Sequence, residues 1–175
     1  MSTTTSTTQL NAVDIAAVAG LAGKIVKSPE VASTTWRADV TWDGGFRSSA
    51  SIREFPPIAS DEPAALGGGD TGPNPVEQLL AALGNCLAVG YAANATVAGI
   101  ELKALSVSLE GDLDLHTFLG LDPDGHAGFQ SIRASVTIDT DAPAAEVEAL
   151  HAKVIATSPV GHTLGRAIPV DISLA

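Results

Sequence analysis

A stretch almost free of charge, residues 67–100, constrains the fold of this chain more than any other feature. Asn74 is a good N-cap residue, Pro75 suits the first helical position, and Glu77 puts a negative charge in the first turn, where the helix dipole favours it. Gly99 is a typical stop, because glycine readily adopts the left-handed conformation that ends many helices. These signals predict one helix of about 25 residues, about 37 Å long at a rise of about 1.5 Å per residue.

The predicted helix is apolar on two opposite sides. One side carries Leu79, Ala82, Leu83, Cys86, Val89, Gly90, Ala93 and Val97, and the other Leu80, Ala81, Gly84, Leu87, Ala88, Tyr91 and Ala95. Such a helix is either buried in a core or spans a membrane, and its length permits a span. Four polar residues (Glu77, Gln78, Asn85 and Asn94) and flanks without a Lys/Arg bias favour a buried core helix.

The rest of the chain alternates between strand and helix patterns that predict an α+β fold with largely antiparallel sheets. Before the long helix we predict a helix at 10–26 that ends near Ser28 and Pro29, strands at 34–42 and 46–55 around a turn at 43–45, and a loop at 56–71. After the long helix we predict strands at 104–118 and 130–139 around an excursion at 120–128. A second helix, capped by Asp141 and running to about Thr157 with Val147, Leu150 and Val154 buried, is then followed by a break at 158–161 and a short strand at 168–174. We assign residues 1–28 to an N-terminal tail and short helix, and 29–175 to the main domain.

These few elements are too little to cover both apolar sides of the long helix. We therefore expect the uncovered side to meet its copy across a two-fold axis, in a homodimer.

Composition narrows the classes of partner and compartment. The chain has 175 residues, with nine Lys and Arg against 20 Asp and Glu, for a formal charge of −11. This charge argues against nucleic acid and anionic membranes as partners. One cysteine permits no internal disulfide, and the first residues show no basic and apolar signal pattern, so we expect a cytoplasmic protein.

Three metal or phosphate motifs can be set aside. The four histidines (His116, His126, His151 and His162) lack ligand spacing, and there is no second cysteine for a zinc site. The run from Asp122 to Gly125 begins like a calcium-binding loop, but Arg133 stands where that loop needs its bidentate Glu. The glycine triplet at 67–69 lacks the GK[ST] ending of a phosphate-binding loop. No metal or cofactor is predicted.

Four segments resemble the OsmC/Ohr family of peroxide-stress proteins, and the last of them resembles its OsmC-like subgroup. They are PNPVEQLLAALGNC, SPVGHTL, IPVDISL and LDLHTFLGLDPDGHAGFQSI. The resemblance implies an intertwined homodimer with antiparallel sheets wrapped around long central helices. It also implies reduction of organic hydroperoxides by a peroxidatic Cys in the long helix. A resolving Cys at the end of the second helix, an Arg and a Glu assist this Cys, and dithiol reductants recycle the protein.

The resemblance places Cys86 at the peroxidatic position. A reactive thiolate there needs a cation from elsewhere, because the helix dipole acts only over the terminal turns. Arg47, just after the turn at 43–45, is the best candidate for the family's Arg, with Arg53 and Arg37 as alternatives. From composition alone, a cysteine such as Cys86 is more often a small buried hydrophobic residue than a nucleophile.

Two positions depart from the peroxidase pattern. Val76 stands where the peroxidases carry Glu, and the neighbouring Glu77 lies on the opposite side of the helix from Cys86. Ser158 stands at the resolving position, where a hydroxyl cannot form a disulfide.

Two functions follow from these residues. The first is hydroperoxide reduction or sensing through a single cysteine, with an external thiol as reductant. The second is a non-catalytic protein that binds a small apolar ligand at its dimer interface.

Overall fold

The structure, a computed structural model, describes residues 9–174 and has the predicted α+β architecture. Its helices are α1 (Ile15–Lys27), α2 (Pro75–Ala98), α3 (Leu115–Phe118), α4 (Ala144–Thr157) and α5 (Pro159–Leu164), and its strands are β1 (Asp39–Gly44), β2 (Arg47–Ser51), β3 (Ile58–Ser60), β4 (Ala104–Leu113) and β5 (Phe129–Asp139). The chain forms two compact units, here named the hairpin unit (16–81) and the helical unit (described residues 9–15 and 82–174). The proposed boundary between 1–28 and 29–175 stays a prediction.

The hairpin unit contains the predicted hairpin as strands β1 and β2, both shorter than expected. Gly44 and Gly45 have φ angles of +96° and +62°, which glycine adopts at little cost. The turn forms at Gly45 and Phe46, directly after the end of strand β1, and overlaps the predicted 43–45 only at Gly45. The prediction of an unstructured loop at 56–71 is wrong in part. Within it, β3 pairs antiparallel with β2 to make a three-stranded sheet, and Ala64–Leu66 form a short 3₁₀ helix.

Asp61 organises the rest of that loop, and its side chain is buried, with the residue 1% exposed. Its carboxylate accepts hydrogen bonds from the backbone N–H groups of Glu62, Gly69 and Thr71 and from the Thr71 hydroxyl. Burial alone would raise the pKa of Asp61, but these hydrogen bonds outweigh it and hold the pKa below its ordinary value. A Cβ on Gly68 would lie 1.8 Å from the carbonyl oxygen of Glu62, so the glycine triplet serves this close backbone approach.

Helix α2 begins and ends where the sequence predicts. The Asn74 side chain accepts from the Glu77 N–H, and the Glu77 carboxylate accepts from the Asn74 N–H, which together form a capping box. At the other end Gly99 has φ +73°, and the N–H of Ile100 donates to the carbonyl of Ala95. That pattern is a Schellman motif, which satisfies the last carbonyls of the helix.

Only one stripe of α2 is buried within the chain. Leu83, Leu87, Tyr91 and Ala95 pack with Ile100, with Leu150 and Val154 of α4, and with the inner face of the β4–β5 sheet. Gly84 and Gly90 permit this packing, because added Cβ atoms would lie 2.8 Å from Leu109 and 3.0 Å from Val154.

As expected from the few elements available to cover it, part of α2 is left uncovered within the single chain, where Val89 and Val97 are each 69% exposed. By length and composition alone α2 could cross a membrane, but a buried stripe packed on a sheet and a helix is the pattern of a core helix.

Strands β4 and β5 pair antiparallel, from Ala104 opposite Asp139 to Leu113 opposite Phe129. The predicted strand at 104–118 is too long, because Asp114 starts α3 by accepting a hydrogen bond from the His116 N–H. A polar cap of this kind ends the extended conformation.

The predictions for the second helix need two corrections. Asp141 does not cap it: α4 begins after Pro143, and Asp141 forms an ion pair with Lys103 instead. The break predicted after Thr157 is confirmed, because α4 ends there, but a further helix that was not predicted, α5, begins directly after it with Ser158 as its N-cap. Val147 is only half-buried, whereas Leu150 and Val154 are buried as predicted.

The predicted closing strand at 168–174 is also absent from the described residues. Its alternating apolar side chains are exposed: Ile168 by 52%, Val170 by 73% and Ile172 by 89%. A strand needs a hydrogen-bonding neighbour, and none of the described strands pairs with this segment.

The predicted first helix is interrupted near Asn11, which has φ +52°. Its side-chain amide donates to the Thr96 hydroxyl at 3.1 Å and to the Ile100 carbonyl at 2.9 Å, and accepts from the Leu102 N–H at 2.8 Å. These bonds tie the start of the helical unit to the end of α2. The continuous helix therefore begins only at Ile15. Residues 1–8 of the predicted N-terminal tail lie outside the described residues.

Candidate functional site

The structure brings Cys86 and Ser158 together. The Cys86 sulfur lies 3.3 Å from the Ser158 hydroxyl oxygen, within hydrogen-bonding range for sulfur. Cys86 is half-buried in the middle of α2, and Ser158 is 5% exposed between α4 and α5. The buried stripes of α2 and α4 pack in one core, and Ser158 follows Val154 by one further turn along the α4 direction. Packing therefore places Ser158 beside Cys86, the two residues that the resemblance assigns to the family's resolving and peroxidatic positions.

Ser158 also caps α5. Its oxygen accepts a hydrogen bond from the Gly161 N–H at 3.1 Å, and Pro159 occupies the first position of the helix, where a missing N–H costs nothing. Gly161 fits tightly, because a Cβ there would lie 3.0 Å from the Ser158 oxygen. The cap fixes the direction of the Ser158 side chain.

A cleft of about 360 Å³ lies next to this pair in the helical unit. Its apolar lining includes Leu83, Phe129, Ile132 and Leu164, and Gly161 forms part of its wall. Leu83 precedes Cys86 by about one turn of α2, and Gly161 contacts Ser158, so the cleft adjoins the site. A small apolar molecule fits a space of this size and character.

The three candidate arginines lie in the hairpin unit and have local contacts there. The Arg47 guanidinium donates to the carbonyl oxygens of Asp43 and Gly44, each at 3.4 Å. Arg37 forms an ion pair with Asp39 at 2.7 Å, and Arg53 lies 4.7 Å from the ring centre of Phe55. The assignment of Arg47 to the activating role stays a prediction.

The two positions near the start of α2 have structural explanations. Glu77 is held by the capping box with Asn74, as described above. Val76, which the resemblance places at the position of the family's Glu, is 37% exposed, and its side chain brings no hydrogen-bonding group.

Sequence reasoning missed one polar pair of the helical unit. The Tyr91 hydroxyl, on α2, is hydrogen-bonded to ring Nδ1 of His151, on α4, and their rings are stacked with centroids 6.1 Å apart. Tyr91 is fully buried, and the pair lines a cavity of about 440 Å³ with Val136 and Ile138 of β5. The one available signal was a lone tyrosine in an otherwise apolar helix side.

Within the described part of the chain, no cluster of three or more His, Cys, Asp and Glu residues could hold a metal ion. His116 instead pairs with Asp114, and His151 with Tyr91.

The family model of the OsmC-like proteins matches residues 67–173, which is more than half of the chain and includes both Cys86 and Ser158. The chain belongs to the OsmC-like family. The resemblance found in its helix motifs is thereby confirmed. A search of curated proteins finds no match to this sequence.

Solved structures of OsmC-like proteins share the fold. An OsmC-like protein from Mycoplasma pneumoniae has a TM-score of 0.66 at 19% identity, over 76% of this chain and 89% of that one. The organic hydroperoxide resistance protein OsmC from Legionella pneumophila has a TM-score of 0.58 at 21% identity, over 75% and 91%. An organic hydroperoxide resistance protein from Elizabethkingia anophelis has a TM-score of 0.54 at 16% identity, over 74% and 89%. At these identities the likeness concerns the fold.

Proposed function

We propose that this OsmC-like protein reduces or senses organic hydroperoxides through the single cysteine Cys86, with an external thiol as reductant. The observation that carries the proposal is the 3.3 Å contact between Cys86 and Ser158, the two positions that act together in the family's peroxidases. The names of the Legionella and Elizabethkingia structures, both organic hydroperoxide resistance proteins, support the class of substrate.

The chemistry has two stages. The Cys86 thiolate attacks the terminal oxygen of ROOH, the O–O bond breaks, and the hydroperoxide proton passes to the leaving alkoxide, so the products are a sulfenate and the alcohol ROH; the sulfenate takes up one proton from water to become the sulfenic acid. Because Ser158 cannot condense with a sulfenic acid, an external thiol attacks the sulfur, releasing water and forming a mixed disulfide. A second thiol then displaces Cys86 and leaves as the external disulfide. This reductant requirement suits a cytoplasmic location, where thiols are kept reduced.

We also propose that the protein is a homodimer. The apolar residues that the single chain leaves exposed support this, above all Val89 and Val97 on α2 and the alternating residues at 168–174. A second copy can cover the helix side and offer the terminal segment a strand partner.

Light scattering tests the assembly. The double substitution Val170→Asp and Ile172→Asp should shift the protein toward monomer, whereas Ser173→Asp, on the other side of the same segment, should not. A native protein that is monomeric at micromolar concentration would contradict the proposal.

The alternative is a non-catalytic protein that binds a small apolar molecule at its dimer interface. Val76 at the Glu position and Ser158 at the resolving position favour it, because both remove reactive groups. In this case Cys86 serves only as packing.

Intact mass spectrometry separates the two functions. One equivalent of cumene hydroperoxide should add one oxygen to the wild type, reversibly by dithiol, and nothing to Cys86→Ser. The Ser158→Cys variant should instead lose two hydrogens, as a disulfide forms between residues 86 and 158. An unmodified wild-type mass, with thiol reagents also failing on the folded protein, would leave the ligand-binding alternative.

A further inference from the structure

We infer that Ser158 is a catalytic residue, whose hydroxyl donates a hydrogen bond to the sulfur of Cys86 and so stabilises its thiolate. The inference rests on the proposed function and assigns a positive role to the residue that replaces the resolving cysteine. The contact of 3.3 Å sets the two side chains within reach without any movement.

The other bond of Ser158 sets the direction of this donation. Its oxygen already accepts the Gly161 N–H at 3.1 Å, which leaves the hydroxyl proton to find an acceptor. A thiolate has no proton and can only accept, so in the reactive state Ser158 must be the donor. With Ser158 only 5% exposed, water competes poorly for that proton.

Other sources of stabilisation for the thiolate are weak within the helical unit. Cys86 lies in the middle of α2, beyond the reach of the helix dipole. Among the residues that the structure describes, Ser158 is its one hydrogen-bond partner. The neighbouring α5 carries one histidine, His162, which is exposed, and the part of α4 in this core is the apolar pair Leu150 and Val154.

The hydrogen bond also acts after oxidation. A sulfenate bears its charge on the same sulfur–oxygen group, and Ser158 can donate to it without reacting. The replacement of Cys by Ser thus exchanges a group that consumes the sulfenic acid for one that preserves it until an external thiol arrives.

The test is the pH profile of Cys86 alkylation by iodoacetamide, together with the rate of its oxidation by cumene hydroperoxide. Ser158→Gly removes the hydroxyl but nearly keeps the helix cap, because glycine caps almost as well as serine. Ser158→Ala removes both the hydroxyl and the helix cap, whereas Ser158→Thr keeps the hydroxyl. Thr157→Ala deletes the adjacent hydroxyl, which bonds to the Lys153 carbonyl instead. His162→Gln controls for titration of the histidine.

We expect the alkylation midpoint to rise by about one pH unit in Ser158→Gly and Ser158→Ala. At lower pH this corresponds to rates about tenfold slower, the effect of losing a hydrogen bond to a charged group. Ser158→Thr should return toward the wild type, and Thr157→Ala and His162→Gln should match it.

If Cys86 reacts in the wild type and its pH profile is unchanged in Ser158→Gly and Ser158→Ala, the role of Ser158 is overturned while the proposed function stands. A midpoint that moves in His162→Gln and not in the Ser158 variants would do the same. A wild type that neither alkylates nor oxidises would overturn the proposed function itself.

Discussion

The hydroxyl of Tyr91 and ring Nδ1 of His151 form a hydrogen bond that joins α2 to α4. Tyr91 is fully buried, whereas His151 is exposed at the surface of α4. A buried phenol keeps its proton, because the phenolate would lose its hydration. Burial therefore raises the pKa of Tyr91 above its ordinary value of 10.0.

Tyr91 is the only tyrosine in the chain, so its ionisation can be followed directly by ultraviolet absorbance. We expect the midpoint of this titration in the folded protein to lie above the ordinary tyrosine value of 10.0. Since the folded state holds this proton more tightly than the unfolded state, the contribution of Tyr91 to the free energy of unfolding should be fully present below about pH 10 and should be lost as pH rises beyond it. An ordinary tyrosine titration in the folded protein would contradict this prediction.

Tyr91→Phe should remove the same pH dependence. It deletes one buried hydrogen bond but leaves the partner His151 accessible to water, so we expect a cost of about 0.5–1.5 kcal/mol in the free energy of unfolding at neutral pH. Urea denaturation measures both effects.

Gly68→Ala should destabilise the hairpin unit strongly. The new Cβ would lie 1.8 Å from the carbonyl oxygen of Glu62, a backbone atom that cannot turn away. We expect a loss of about 3 kcal/mol, the upper end of the usual cost of overpacking. Gly23→Ala is the matched control: nothing lies within 4 Å of its added Cβ in α1. It should be neutral or stabilising by up to about 1 kcal/mol. Equal thermal midpoints for the two variants would count against the structure of this loop.

Asn11→Ala should loosen the end of α2. The carbonyl of Ile100 and the N–H of Leu102 lose their side-chain partner, which we expect to cost about 1–3 kcal/mol. Hydrogen exchange should accelerate at Leu102. Asn11→Asp keeps the acceptor for Leu102 but removes the donor to Ile100, so its stability should fall between that of the wild type and that of Asn11→Ala. An Asn11→Ala variant as stable as the wild type would show that water replaces these bonds.

Substitutions of Cys86 should follow an unusual order of stability. In Cys86→Ser the new hydroxyl has Ser158 as a partner, so we expect a loss below about 1 kcal/mol. In Cys86→Ala the buried Ser158 hydroxyl loses its acceptor, and a loss of about 1–3 kcal/mol is expected. Guanidinium denaturation of the reduced proteins gives the comparison, and the reverse order would mean that the contact at Ser158 is not a hydrogen bond.

Helix α2 could be predicted closely because its signals are local. Asn74, Glu77 and Gly99 act within a turn of the residues that they cap, and the structure uses all three as expected. The strand at 168–174 shows the opposite case. Its alternation is a genuine strand pattern, but pairing depends on a neighbour that a periodicity cannot supply.

The candidate site was predictable only through the family resemblance. Cys86 and Ser158 come from different helices far apart in the sequence, and no local pattern connects them. The burial of Asp61 and the pairing of Tyr91 with His151 arise in the same way from distant contacts. The end predicted for the strand at 104–118 is wrong for a local reason, because Asp114 was not recognised as a helix cap.

The loop around Asp61 also bears on where this domain can be cut. The match to the OsmC-like family model begins at residue 67. This point lies between Asp61 and the residues Gly69 and Thr71, whose N–H groups donate hydrogen bonds to the Asp61 carboxylate. A protein shortened to that block would start with donors that have lost their acceptor, directly before the first turn of α2. We therefore expect a fragment that begins at residue 67 to be less stable than one that begins upstream of Asp61.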